Sequence, residues 1–277
     1  MKTSHLFLIF LVSISIACGS KNTEAPEAEV KPGPFAGKIM SETLSGSNSG
    51  QWRYLYQDYG LWKPERIDVL SNGQLTHEYS YEYPGSAISQ NYKIYERKLQ
   101  QDVMSSFGTT EFYIENARLV MTDYRPATST NSFSRRNITY NYSINNQLKN
   151  IEVLNYDILN AVTTTEDHVI TNDQNGNVIK ISKKTYLSGQ LQSTTTISYT
   201  YDNKTNPKKG LGTASDIAAF FSPNNWLTMT EENNNARKVT TRIYTYNTAS
   251  QPTSLPASFE ETVDGTNPQQ TAIAYFK

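Results

Sequence analysis

Ile197-Ser198-Tyr199-Thr200-Tyr201-Asp202-Asn203-Lys204-Thr205-Asn206-Pro207 decides the fold. Its odd positions begin with Ile197, Tyr199 and Tyr201, and the even positions between them carry the small hydroxyls Ser198 and Thr200. Period two with Ile, Tyr and Thr marks a strand that buries one face and wets the other. The closing Asn and Pro are turn residues. The same rhythm recurs at Ile138-Thr139-Tyr140-Asn141-Tyr142, at Ile243-Tyr244-Thr245-Tyr246 and, in degenerate form, at Tyr79-Ser80-Tyr81-Glu82-Tyr83. Three copies read Tyr-x-Tyr, then four residues, then Gln or Asn, then Leu or Pro. Their spacing is uneven, which predicts repeated hairpins and not a regular propeller or solenoid.

Between these runs lie turn signals: Ser71-Asn72-Gly73-Gln74-Leu75, Asn145-Asn146-Gln147-Leu148, Asn175-Gly176-Asn177-Val178 and Ser188-Gly189-Gln190-Leu191. Asn and Gly tolerate the positive φ that tight hairpin turns need. One short helix is expected near 215–221, with Ser215 or Asp216 capping Ile217-Ala218-Ala219-Phe220-Phe221 and Pro223 ending it. Its expected place is over one end of the sheet. Asn224-Asn225-Trp226 and Glu231 to Asn235 read as loops. The predicted fold is all-β: a long curved antiparallel sheet, or an open or partly closed barrel, built of repeated hairpins. A closed transmembrane barrel is not expected, because Thr, Ser, Asn and Lys interrupt the apolar band that lipid requires.

The nonapeptide Tyr199 to Pro207 resembles the Tyr-Thr-Tyr-Asp-x-x-x-Asn-Pro element of uncharacterised lipoproteins from gut Bacteroidetes, a family of unknown function with a porin-like fold. It also resembles the Tyr-Asp repeats of secreted Rhs-type proteins. The resemblance extends over roughly residues 50 to 277 as a rhythm of hairpins. It implies a curved sheet or open barrel, and it brings no catalytic residue with it.

The N-terminus reads as an address. Met1-Lys2 precedes an apolar run from Leu6 to Ile16, too short for a permanent span but the size of a signal-peptide core. Ile16-Ala17-Cys18 resembles a bacterial lipobox, which implies acylation of Cys18; Ser15 departs from the usual aliphatic residue. Residues 1–17 are then a signal peptide. Residues 18–35, polar and rich in Pro and Glu, form a disordered tether. Residues 36–277 form a single antiparallel β domain. The expected location is the cell envelope, anchored by lipid to the outer membrane, on either its periplasmic or its surface face.

The chain has 277 residues, 25 basic against 26 acidic side chains, and one cysteine. That balance argues against nucleic acid as a partner. A single Cys excludes an internal disulfide framework and a thiolate zinc site. No His-x-x-x-His is present, and His77 and His168 read as exposed strand residues. The string Asn172 to Asn177 has oxygen side chains before a Gly, but Lys184 stands where a calcium loop needs its closing acid; the predicted identity is a turn. Gly-x-Ser-x-Gly and phosphate-loop motifs are absent. No metal, cofactor or catalytic residue is assigned. An enzyme needs two or three of His77, His168, Asp202, Glu260 and Glu261 to converge in space. Arg135-Arg136, Lys183-Lys184 and Lys208-Lys209 read as solvated pairs in turns or on exposed faces.

Aromatic density is the remaining signal. Trp52 to Trp62 holds five rings in eleven residues, and Trp52, Tyr54 and Tyr56 share a strand face. Such rings suit core packing between strands; they also suit stacking of a sugar or an apolar ligand. Trp52, Tyr54, Tyr56 and Trp62 are therefore the candidate ligand-binding residues. The expected function is non-enzymatic: a membrane-anchored binding or scaffold protein for a glycan, a lipid-like ligand or an envelope partner. The alternatives are a structural component of an envelope assembly, and a hydrolase.

Overall fold

A computed structural model describes residues 39–45, 50–56, 64–83, 91–100, 103–129, 133–211, 216–233, 236–246, 255–265 and 268–275. The strands are β1 (Ile39–Ser45), β2 (Gly50–Tyr56), β3 (Pro64–Ser71), β4 (Gln74–Glu82), β5 (Tyr92–Gln100), β6 (Val103–Glu115), β7 (Arg118–Pro126) and β8 (Arg135–Tyr142). They continue as β9 (Leu148–Tyr156), β10 (Val162–Asn172), β11 (Val178–Leu187), β12 (Gln190–Thr205), β13 (Asn224–Asn233), β14 (Ala236–Tyr246), β15 (Pro256–Val263) and β16 (Gln269–Tyr275). Each pairs antiparallel with its chain neighbours, and β1 pairs with β16, so the sheet closes into a barrel. The predicted all-β hairpin architecture holds, and its closure is complete.

The turns are the ones their residues demand. Asn72-Gly73 and Ser188-Gly189 take positive φ at both central positions, the type I′ geometry that matches strand twist. A five-residue turn occurs three times, at 143–147, 157–161 and 173–177. In each, the first residue's N–H donates to the fifth residue's carbonyl, and the fourth residue, Asn146, Asn160 or Gly176, is left-handed. Asp173 Oδ1 accepts from the backbone N–H of Asn175 and Asn177 at 2.9 and 2.8 Å. The oxygen-rich string there folds its own turn, as predicted.

Tyr-x-Tyr has a repeated structural role. Tyr83, Tyr142 and Tyr201 are second tyrosines of such pairs, near the C-terminal ends of β4, β8 and β12, and Tyr275, outside the repeat, ends β16. Their hydroxyls donate to the carbonyls of Pro64, Leu119, Val178 and Pro256 at 2.7–2.9 Å. Each acceptor lies at the start of the preceding strand, so the phenol latches its own hairpin at one rim. Asn172 performs the same task for Leu148 at 2.6 Å. The other repeat tyrosine, Tyr246, turns instead to Asp202 and Asn225.

That rim is plugged. The β12–β13 connection carries α1 (Ile217–Phe221), capped by Asp216, whose side chain accepts from Ala219 N–H at 2.9 Å. The other candidate cap, Ser215, lies outside the described residues. Asn206 Nδ2 donates to the carbonyls of Ala219 and Ser222. Lys208 reaches Glu42 on β1 at 2.9 Å, while Phe221 packs on Tyr140 of β8 at 5.5 Å. The connection therefore spans the lumen between opposite walls.

Two expectations are corrected. Asn224-Asn225-Trp226 and Glu231-Glu232-Asn233 are the ends of β13, not loops. Their polar composition fits because Asn224 and Asn225 bind the end of the neighbouring strand β12: Asn224 Nδ2 donates to Lys204 O, and Asn225 N–H to Asp202. The basic pairs are split between the two faces, as period two requires. Arg136 and Lys183 point into the lumen, and Lys208 enters the plug; Lys184 and Lys209 are exposed, while Arg135 is half-buried against Asp123 at 2.8 Å.

The outer face is largely polar, and the inner face carries most of the apolar side chains together with a few charged ones. Across five strands one register row reads Thr139, Glu152, Asp167, Lys184, Thr194, and Glu152, Asp167, Lys184 and Thr194 are exposed. The adjacent row reads Tyr140, Ile151, His168, Lys183, Thr195 and faces the lumen. Phe112, Ile94, Val153 and Ile181 are almost wholly buried. A lipid-spanning barrel has the reverse polarity, an apolar band outside and a polar lumen.

Candidate functional site

The inward rows enclose a lumenal cavity of about 660 Å³. Ile138, Ile151, Val153, Ile181 and Ile197 line it from β8 to β12, with Met229 from β13. Tyr79, Tyr124, Tyr140 and Tyr199 add ring faces, and Asp216 and Ile217 come from the plug helix. Gly108 makes room for one ring: a Cβ there would lie 2.5 Å from Tyr124. Burial holds these phenols protonated. Tyr79 is pushed up to about 12, with Glu96 adding to the effect, and Tyr199 is raised further. They act as neutral hydroxyl donors on an apolar surface.

Besides Asp216 of the plug, charged side chains break the apolar lining on two walls. On β10, Glu166 Oε2 accepts from His168 Nε2 at 3.1 Å and from Lys183 Nζ at 3.0 Å, and Arg136 Nη2 stands 4.0 Å away. The His168 hydrogen bond, then Lys183 and Arg136, hold the Glu166 carboxyl down at about 2 against the opposing effect of burial. On the other wall Glu96 pairs loosely with Lys98 at 3.7 Å. His168 is 8 % exposed, a correction to its reading as an exposed residue. Its parity places it indoors, where a histidine needs a partner, and Glu166 two residues earlier supplies one.

Of the aromatic candidates, Trp52, Tyr54 and Tyr56 do not line this cavity, and Trp52 is 38 % exposed. Trp52 stacks on Tyr79 with centroids 6.4 Å apart, Tyr54 is buried in the core, and Tyr56 packs against that core. Trp62 and Cys18 lie outside the described residues. The acid–base candidates enter separate networks: His168 meets Glu166, Asp202 meets Tyr246 and Asn225, Glu261 meets Arg242 at 2.7 Å, and Glu260 is exposed. His77 has Thr76 at 3.2 Å, and its pKa is lowered by burial and by Lys98. Among the described residues no cluster of three His, Cys, Asp or Glu side chains could hold a metal ion. No described helix is long and apolar enough to cross a membrane.

Arg136, Glu166 and Lys183 are the site residues that sequence reasoning missed. Their signal was available: a charge sharing the parity of Ile and Tyr in a half-buried strand must point indoors.

No family model matches the sequence, and no curated protein matches it. Solved structures do. A porin-like protein from Bacteroides vulgatus is 11 % identical, over 86 % of this chain and 98 % of its own, with a TM-score of 0.56. A porin-like protein from Bacteroides uniformis is 11 % identical, over 88 % and 99 %, with a TM-score of 0.52. The chain thus has the β-barrel fold of porin-like proteins from Bacteroides, and at this identity the likeness is one of fold.

Proposed function

We propose that this chain is a lipid-anchored envelope protein that binds a small apolar or amphipathic molecule inside a water-facing barrel. One observation carries the reading: a 660 Å³ cavity, within the usual range for ligand sites of roughly 300–1,000 Å³, lies behind a charged outer wall. The apolar floor formed by Ile138, Ile151, Ile181 and Ile197 favours a ligand with an aliphatic part over a glycan. The plug occupies the lumen, which supports storage or capture in place of passage. The closed sheet presents no edge strand, so assembly by strand addition has no template here. The anchor is Cys18, with residues 1–17 removed and 18–35 as tether, and Cys18→Ala should abolish incorporation of tritiated palmitate.

The reading is tested by melting the purified protein against a lipid panel and a glycan panel. A ligand bound only by the folded state raises the melting temperature. Long-chain apolar molecules should do so and oligosaccharides should not. Stabilisation by glycans alone would contradict the lipid-like assignment.

A further inference from the structure

The polar group on β8, β10 and β11 is not neutral. Among the described residues Glu166 is the one carboxylate paired with both Arg136 and Lys183, and its Oε2 also accepts a hydrogen bond from His168 Nε2. Two permanent cations therefore face one acid. The cations retain free surface, with side chains 41 % and 31 % exposed, whereas Glu166 is 15 % exposed. Arg136 Nε and His168 Nδ1 are buried and have no hydrogen-bond partner among the described residues. Arg136 Nε is a donor, and buried polar atoms without partners are rare in folded proteins and call for a reason. Elsewhere in the cavity the acids are answered: Asp216 by the first turn of α1, and Glu96 by Lys98 and Tyr79.

We infer that Arg136 and Lys183 form the head-group site of the lumen and hold the carboxylate of an apolar monocarboxylic acid, its tail lying against Ile138, Ile151, Ile181 and Ile197. This rests on the lumenal-binding reading and adds the sign of the ligand's charge. A guanidinium and an ammonium beside an apolar floor supply charge-assisted hydrogen bonds in a low-dielectric site, where they are strong. A neutral head would leave the surplus charge uncompensated, and a cationic head would be repelled by it.

Three probes with one tail test it: dodecanoate, dodecanol and dodecylamine, each displacing the fluorescent naphthalene probe N-phenyl-1-naphthylamine from the protein. Dodecanoate should bind about tenfold tighter than dodecanol, and dodecylamine weakest. Arg136→Met and Lys183→Met should each cut the dodecanoate-to-dodecanol affinity ratio by about tenfold, while Glu166→Gln should raise it. Because the readout is a ratio within each variant, a general loss of stability does not mimic it. Equal affinity for acid and alcohol, or tighter binding of the amine, overturns the head-group site and leaves lumenal binding intact. Failure of all three to displace the probe overturns both.

Discussion

A phenol hydroxyl at the end of a strand does more here than its apolar ring. Tyr142 Oη donates to Leu119 O at 2.7 Å, and removing it strands that carbonyl where water is scarce. Tyr142→Phe should cost about 1–2 kcal/mol and lower the melting temperature by roughly 2–6 °C. Tyr95→Phe is the comparison, since its hydroxyl meets Glu82 on the exposed outer wall; it should cost less than about 0.5 kcal/mol. Equal losses would show that the latch contributes nothing beyond an ordinary surface contact. The repeat itself was legible in the sequence, because Tyr-x-Tyr recurs with fixed company. Its purpose was not, because the acceptor is a backbone carbonyl 19 or 23 residues upstream with no side-chain signature.

At the scale of the strand, period two decided most of what could be read and also most of what was missed. Tyr140, Ile151 and Ile181 announced the inner face. Lys183 shares that face but was grouped with Lys184 because the two are adjacent, although adjacent strand residues point apart. Asn224-Asn225 have the composition of a loop because Asn is depleted in strands; here they hydrogen-bond to the end of β12. The ionic cluster that joins β10 to β11 has a definite pH signature. Glu166 is held at about 2 in the folded chain, below its ordinary 4.5. A depressed carboxyl contributes stability that is present above the ordinary value and lost as pH falls toward the folded one. Glu166→Gln should therefore be less stable than the parent at neutral pH, and the gap should close as pH drops from about 4.5 to about 2 in urea unfolding. A gap that stays constant over that window would mean Glu166 is not paired as described.

For the whole molecule, closure explains why an extended set of hairpins is stable without a disulfide: every strand is paired on both sides and the apolar rows meet across the lumen. Curvature was readable from the repeat, whereas closure depends on the pairing of β1 with β16, more than 200 residues apart, which no local pattern encodes. The proposed lumenal binding rests on the distribution of side chains across the wall: a largely polar outer face, an inner face of Ile and Tyr with one ionic cluster, and a plug across one rim. The direct test is fluorescence titration of the protein with N-phenyl-1-naphthylamine in detergent-free buffer, beside Ile197→Trp, which fills the cavity, and Ile243→Trp, which enlarges an exposed outer residue. The account predicts saturable binding of one probe per barrel, reduced at least about tenfold by Ile197→Trp and unchanged by Ile243→Trp. Binding that does not saturate, or that the two variants affect alike, would contradict a lumenal site.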